Sequence, residues 1–341
     1  MAGITFTVGS GLADAGFGLV QGPIKALIMK NAEPFEKASI RKKVFREVKS
    51  THALENYRQM GSMNGPKPVA ENGAYPSTDW AETFDKSLRN VTWKNRFSIS
   101  REAIEDDQIL ELQTKPAAFT TAHYRTEEEF GAAIYGGAMM GQTVIEFEDR
   151  KFDIAGADGK PLFSDKHPSH SSGKYRKTQC NMFANEFSTR ALTSAETAMQ
   201  MFCDDNGHLL SVCPDTILIP NDPVLKYKVL EAIGAEKDPD TSVNGFNMNF
   251  GRWNVIGWSY LNRYLEEGFS PWVLLDSNMI HNGISALWQN RIGFNCHSFY
   301  DNDTDANVWN DRSRFNAGFA DWRFACIGGM GDRGGQELKL A

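Results

Sequence analysis

The sequence predicts an α+β chain, and three stretches carry that expectation. In 91-VTWKNRFSIS-100, Val91, Trp93, Phe97 and Ile99 share one face of an alternating pattern, the mark of a half-buried strand. Between 116 and 147, Phe119, Ala122, Phe130, Ala133, Ile134, Gly137, Gly141 and Ile145 recur near helical spacing. In 214-PDTILIPNDPVLKYKVLEAIG-234, a strand at 216–220 leads into a helix that Asp222 caps, Pro223 opens and Gly234 closes.

The remaining elements follow in order. Residues 1–30 are rich in Gly and weakly patterned, as expected of an arm lying on something else. The stretch 34-PFEKASIRKKVFREVKS-50 has roughly helical spacing, and its basic run 41-RKKVFR-46 reads as a solvated helix face. Within 51–100, Pro66, Pro68 and Pro76 alternate with Gly61, Gly65 and Gly73, a density that stops both helix and regular ladder. With the strand signal at 91–100 after it, this region reads as a long projecting hairpin that packs against another chain. Ser100 caps a helix over 100–113, with acids at its positive end. The helical pattern of 116–147 is one long helix, or two joined near Thr126 by a capping box. The segment 148–192 is irregular. A second capping box, Thr193 with Glu196, opens a helix over 193–203. Strands are expected at 252–261 and 271–277, and 290–328 is strand-like with polar turns. The glycine-rich end, 328–341, reads as a flexible tail.

Composition narrows the function. The chain has 341 residues, 41% of them hydrophobic, enough for a sizeable core. Thirty-six basic residues face 43 acidic ones, a net charge of -7 that does not suit tight, phosphate-neutralising binding of nucleic acid by the whole protein. No apolar run approaches the ~20 residues of a membrane helix. The N-terminus lacks the basic start and compact apolar stretch of a signal peptide, so synthesis in a cytosol is expected. The 5 cysteines, at 180, 203, 213, 296 and 326, are scattered, as reduced thiols are.

Four motifs invite a chemical reading. His167, His170 and Cys180 gather beside Asp165 in 159-GKPLFSDKHPSHSSGKYRKTQC-180, but in a Pro/Ser/Gly loop rather than at HExxH or paired-cysteine spacing. In 301-DNDTDANVWNDR-312, Asp301, Asp303 and Asp305 imitate a calcium loop. Ala306 replaces its turn glycine and Arg312 its bidentate glutamate, which leaves a polar turn. The run 328-GGMGDRGG-335 has no Lys-Ser/Thr pair and no following helix for a phosphate. Asp106 and Asp107 are ordinary first-turn acids. The sequence therefore predicts no catalytic, cofactor-binding or metal-ligating residue, and no enzyme.

Taken in order, four passages resemble the major capsid protein of tailed bacteriophages, the Hong Kong 97 fold, with the Mu-like head subunits as the nearest group. They are 97-FSISREAIEDD-107, 157-ADGKPLFSDKHPS-169, 214-PDTILIPNDPVLKYKVLEAIG-234 and 307-NVWNDRSRFNAGFADWRFA-325. The resemblance implies an N-terminal arm at 1–50 and an extended loop at 51–100. It also implies a peripheral domain of 101–155 with 290–341, built on a long spine helix, and an axial domain at 156–289. It implies hexamers and pentamers that assemble in a bacterial cytoplasm into an icosahedral virion shell. That shell encloses double-stranded DNA without sequence-specific binding, with portal, scaffolding or decoration proteins as partners and no membrane or cofactor. Lys67, Tyr75, Trp80, Lys86 and Trp93 are the candidate contacts between subunits. Some members cross-link a loop lysine to an asparagine; Lys67, Lys86 and Lys94 lie in or beside the loop without aligning to that position. The competing readings are a nanocompartment shell of the same fold and a loop-metal hydrolase using Asp165, His167 and His170. As loop residues, His167 and His170 are expected to tolerate joint replacement by Ala at ~1 kcal/mol or less if exposed, and at greater cost if either is buried.

Overall fold

A single long helix organises the chain. The computed structural model describes residues 5–8, 15–60, 63, 65–77, 82–106, 109–169, 178–234 and 246–338. It begins with strand β1 (Thr5–Val8), helix α1 (Ala15–Ala38), the single turn α2 (Arg41–Val44) and strand β2 (Arg46–Lys49). Strands β3 (Leu54–Met60), β4 (Glu82–Arg89) and β5 (Val91–Ser100) lead to α3 (Arg101–Glu105) and the 31-residue α4 (Ile109–Met139). A short hairpin, β6 (Val144–Phe147) and β7 (Arg150–Asp153), precedes α5 (Thr189–Gln200), β8 (Thr216–Pro220), α6 (Pro223–Gly234) and β9 (Asn254–Trp258). Then come β10 (Trp272–Leu275), α7 (Ser277–Asn282), β11 (Ala286–Ile292), β12 (Asn295–Asp301), β13 (Ala306–Phe319) and β14 (Ala325–Gly328).

Strand β13 is the axis of the larger sheet, whose order is β1-β12-β13-β11-β2 with β5 also paired to β13. Its 14 residues pair antiparallel with β5, β11 and β12. Helix α4 lies on this sheet through Phe130, whose ring stands 5.3 Å from Trp93 and 5.9 Å from Trp288, and it meets the β6–β7 hairpin at Phe152 (4.8 Å) and Phe147 (5.4 Å). The second sheet has order β14-β10-β8-β9, and its strands β8, β10 and β14 are buried along their whole length. One continuous apolar core joins α4 to both sheets. A smaller cluster, with Ile24, Ile28, Phe119, Phe294 and Trp309, seats α1 on the same assembly.

Several sequence expectations hold and others need correction. Strand β8 and helix α6 fall where the capping signals placed them, and the Asp222 carboxylate accepts the amide of Val224. The expected turn joins β12 to β13, with Asp305 at φ 48°. Helix α4 is continuous through Thr126, whose hydroxyl donates back to the Ala122 carbonyl instead of capping a new helix. It ends at Met139, and 144–147 is strand because it pairs with β7. The first 30 residues are less featureless than their pattern suggests, since Ile24 and Ile28 are buried one helical turn apart. The helix expected over 34–50 breaks after Ala38 and resumes only for the single turn α2, where Arg41 is buried rather than solvated, and Arg46–Lys49 becomes a strand by pairing parallel with β11. Helix α5 starts earlier than expected: Ser188 Oγ accepts the Ala191 amide, while Thr193 bonds back to the Thr189 carbonyl inside the helix. Only Asn254–Trp258 of the stretch 252–261 is strand, followed by a 3-10 turn. The tail is held as far as Leu338, whose amide donates to Asn185 Oδ1 at 2.7 Å, and Gln336 bridges to Phe183.

Close approach to α4 requires glycine. In a helix interior Gly→Ala ordinarily stabilises by ~1 kcal/mol. A Cβ at Gly137 would stand 2.3 Å from Ile145 Cγ2 and 3.1 Å from Ile154 Cδ1. Gly137→Ala is therefore expected to destabilise by about 1–3 kcal/mol, read as a lower urea midpoint with unchanged slope. A raised midpoint would show that the helix has room there.

Candidate functional site

The hairpin of β3 and β4 is anchored at its base and bare beyond it. A two-stranded ribbon is marginal alone, and here one end is tied to the large sheet. Asn90 Nδ2 donates to Ser50 Oγ at 2.7 Å and to the His52 carbonyl at 2.8 Å. Glu55 accepts the amides of Thr51 and His52 and the Ser50 hydroxyl. The amides of His52 and Thr51, with that hydroxyl, hold the Glu55 carboxyl down at about 2. Tyr57 Oη donates to Gln289 Oε1 at 3.0 Å, and Gln59 Nε2 to the Ala320 carbonyl at 2.6 Å. Leu88 packs with Leu287 and Ala320. Past these anchors, the described residues from 65 to 77 are all exposed.

The five expected contact residues separate accordingly. Tyr75 is 100% exposed and Lys67 is exposed beside it in the tip. Lys86 is buried, with Nζ 2.7 Å from Asp153 Oδ2, and Trp93 stacks on Phe315 at 4.9 Å, so both make these contacts within the chain. The alternating strand face that contains Trp93 is therefore turned to α4. Trp80 lies outside the described residues, as do Asp107 and His170. Sequence reading missed the brace of Asn90, Glu55 and Gln289. Asn90 at a strand junction was a weak local signal, but Gln289 is too distant in sequence to connect with it.

A buried charge network was also missed. His123 Nδ1 lies 2.8 Å from Asp311 Oδ2, and Nε2 lies 3.6 Å from Glu127 Oε1. Arg41 meets Glu127 at 3.1 Å and Glu47 at 2.8 Å, and its guanidinium covers Trp288 at 4.3 Å. The network joins α2, β2, α4 and β13. Burial disfavours the His123 imidazolium, but the hydrogen bond to Asp311 and the charge of Glu127 prevail and raise it to about 9. Burial likewise opposes ionised Glu127, yet Arg41 and His123 hold it at about 2. These groups compensate one another's charge, and removing one partner from such a set is costly.

The histidine loop is structural in a different way from the one expected. His167 is only 1% exposed. Its Nδ1 lies 2.7 Å from Asp158 Oδ2, its Nε2 lies 3.0 Å from Asn181 Oδ1, and its ring stacks on Trp322 at 4.1 Å. Asn181 is fixed in turn, because its amide nitrogen donates to the carbonyls of Leu162 and Ala325. Both ring nitrogens are thus committed to protein partners. Among the described residues no three His, Cys, Asp or Glu side chains gather to hold a metal, and no helix is long and apolar enough to cross a membrane.

His167→Ala leaves Asp158 buried without its partner and removes the stack on Trp322, so it is expected to cost about 3 kcal/mol in chemical denaturation. A cost near zero would place the ring in solvent. For His123, the folded value lies above the ~6.5 of an unfolded chain. Its proton therefore contributes stability fully below that pH, and the contribution is lost as pH rises through about 9. The gap in melting temperature between the native chain and His123→Gln is expected to narrow between pH 6 and pH 10. A gap constant over that range would exclude the ion pairing.

No family model matches this sequence, and no curated protein matches it. Solved structures match it in shape. A capsid structure of the cyanophage P-SCSP1u aligns with a TM-score of 0.50 and 9% identity, covering 85% of this chain and 88% of that one. A chain from Microbacterium phage Oxtober96 aligns at 0.49 and 10% identity over 85% and 90% of the two chains. The procapsid of bacteriophage JBD30 aligns at 0.43 and 14% identity over 96% and 77%. At such identity the likeness is one of architecture. The chain has the α+β fold of a phage capsid subunit, the fold class that the sequence resemblance implied.

Proposed function

We propose that this chain is the major capsid protein of a tailed bacteriophage, of the Mu-like group. It self-assembles through hexamers and pentamers into an icosahedral shell around double-stranded DNA. The observation that carries this reading is the anchored hairpin with its bare tip. A stretch with so little burial of its own gains a fixed conformation by lying on a neighbour, which a closed shell provides. The capsid-type fold supports the same reading. The chain then works without catalysis, in the virion, after assembly in the host cytoplasm. Portal and scaffolding or decoration proteins are its further partners.

In this reading 1–50 is the arm and 51–100 the extended loop, with Lys67, Tyr75 and Trp80 among its contacts. The peripheral domain is 101–155 with 290–341, and α4 is its spine. The axial domain is 156–289, to which the closing segment returns one edge strand, β14. The hydrolase reading loses support because both nitrogens of His167 are occupied within the loop.

Because β4 is anchored through Lys86 and Leu88, the informative deletion spares it. Replacing residues 63–77 by a short Gly/Ser turn is expected to leave the melting temperature within a few degrees of the parent while abolishing shells in negative-stain microscopy. Normal shells from the deleted chain would remove the hairpin from the lattice. A full-length chain that remains a monodisperse monomer in light scattering would contradict the capsid reading itself.

A further inference from the structure

One face of the large sheet carries an excess of positive charge that a single acid, Asp301, only partly offsets. Strand pairing sets Lys94 directly opposite Arg312, and aligns Arg96, Asn310 and His297 across β5, β13 and β12. Side chains two residues apart share a face, so Lys94, Arg96, Arg312 and Arg314 stand on the side of the sheet opposite Trp309 and Phe315. Lys94, Arg96 and Arg312 are exposed, and His297 and Arg314 half-buried. Asp301 shares this face and reaches Arg96 at 3.2 Å. Asp311 points the other way, to His123. Lys94 and Arg312 have no acidic partner among the described residues. An open depression of about 620 Å³ lies between Lys94, Arg96, His297 and Arg312, and Asp311, whose Oδ2 is turned to His123, is also part of its wall.

Like charges directly opposite each other weaken a strand pair, and no local acid relieves this one. We propose that this face binds the phosphodiester backbone of nucleic acid. Residues two apart on a strand stand ~6.7 Å apart, and neighbouring strands ~4.8 Å apart, so the cations form a tight patch. A nucleic-acid strand brings one phosphate per ~3.4 Å of rise, whereas an extended acidic peptide brings one carboxylate per ~6.7 Å to a given face. The guanidinium fork also matches phosphate oxygens. Phe299 lies under Arg96 at 6.0 Å and is not offered for base stacking, so contacts stay with the backbone and carry no sequence preference. The net charge of -7 keeps the attraction local and weak for each chain. This inference rests on the shell reading, in which the wall must meet its DNA somewhere.

The test is fluorescence anisotropy of a labelled random-sequence duplex with the full-length chain, titrated between 50 and 200 mM salt. Four phosphate contacts predict a slope of log K against log salt of about -3 to -4. Lys94→Gln with Arg312→Gln is expected to lower that slope by about 2 in magnitude. The same loss of charge at exposed Arg150→Gln with Lys151→Gln should leave it unchanged. Arg96→Gln alone, should the double variant melt early, is expected to remove about 1 from the slope. The proposal is overturned by absence of salt-dependent binding, by equal effects of the two double variants, or by tighter binding of polyglutamate than of DNA. Microscopy of the same samples separates the two readings: shells without DNA binding reject only this site, whereas DNA binding here without shells rejects the capsid reading.

Discussion

Phe130 is the contact on which the rest of the molecule depends. It sits where α4 meets the large sheet and the β6–β7 hairpin, and four aromatic rings lie within 6 Å of it. Aromatic side chains of this size dominate core energetics through the area that they bury. Around the hub, Gly136 and Gly137 bring α4 against Tyr264 and Ile145. Further towards the N-terminus of α4, Glu127 and His123 fix its rotation through Arg41 and Asp311. Apolar packing thus sets the distance between helix and sheet, and buried charge sets the register.

That rigid centre allows other parts to remain unsupported. The hairpin is joined to the sheet by Tyr57, Gln59 and Leu88, but residues 65–77 make no use of the core. In the proposed reading, stability and association therefore fall to different stretches of one chain. Burial at Phe130 holds the subunit, and exposed chain at the hairpin tip remains available to a neighbour. The opposite face of the β5–β13–β12 sheet shows a similar division, with Trp309 turned to the core and Arg312 to solvent.

Local signals were legible in the sequence and distant pairings were not. Strand β8 and helix α6 could be read because Asp222, Pro223 and Gly234 act on their own backbone. The strand character of β5 was equally plain from its alternation, but not the fact that Trp93 faces Phe130. Strand β2 carries Arg46, Glu47 and Lys49, and only its pairing with β11 makes it a strand. Thr126 and Thr193 matched capping boxes, yet both hydroxyls bond back to the preceding turn inside a helix. His167 looked like a solvated loop residue because its partners Asn181 and Trp322 lie further along the chain. The bare hairpin tip was the most legible feature of the candidate site, since Pro and Gly at that density exclude regular structure wherever they fall.

The central claim is that the hairpin tip takes its fixed conformation from a neighbouring chain while the helix-centred core stands alone. Amide hydrogen exchange, read by mass spectrometry on unassembled chain and on purified particles, tests this directly. The account predicts fast exchange of residues 65–77 in the free chain and strong protection in particles, with the amides around Phe130 and along β13 protected in both states. Equal protection of 65–77 in the two states would contradict it.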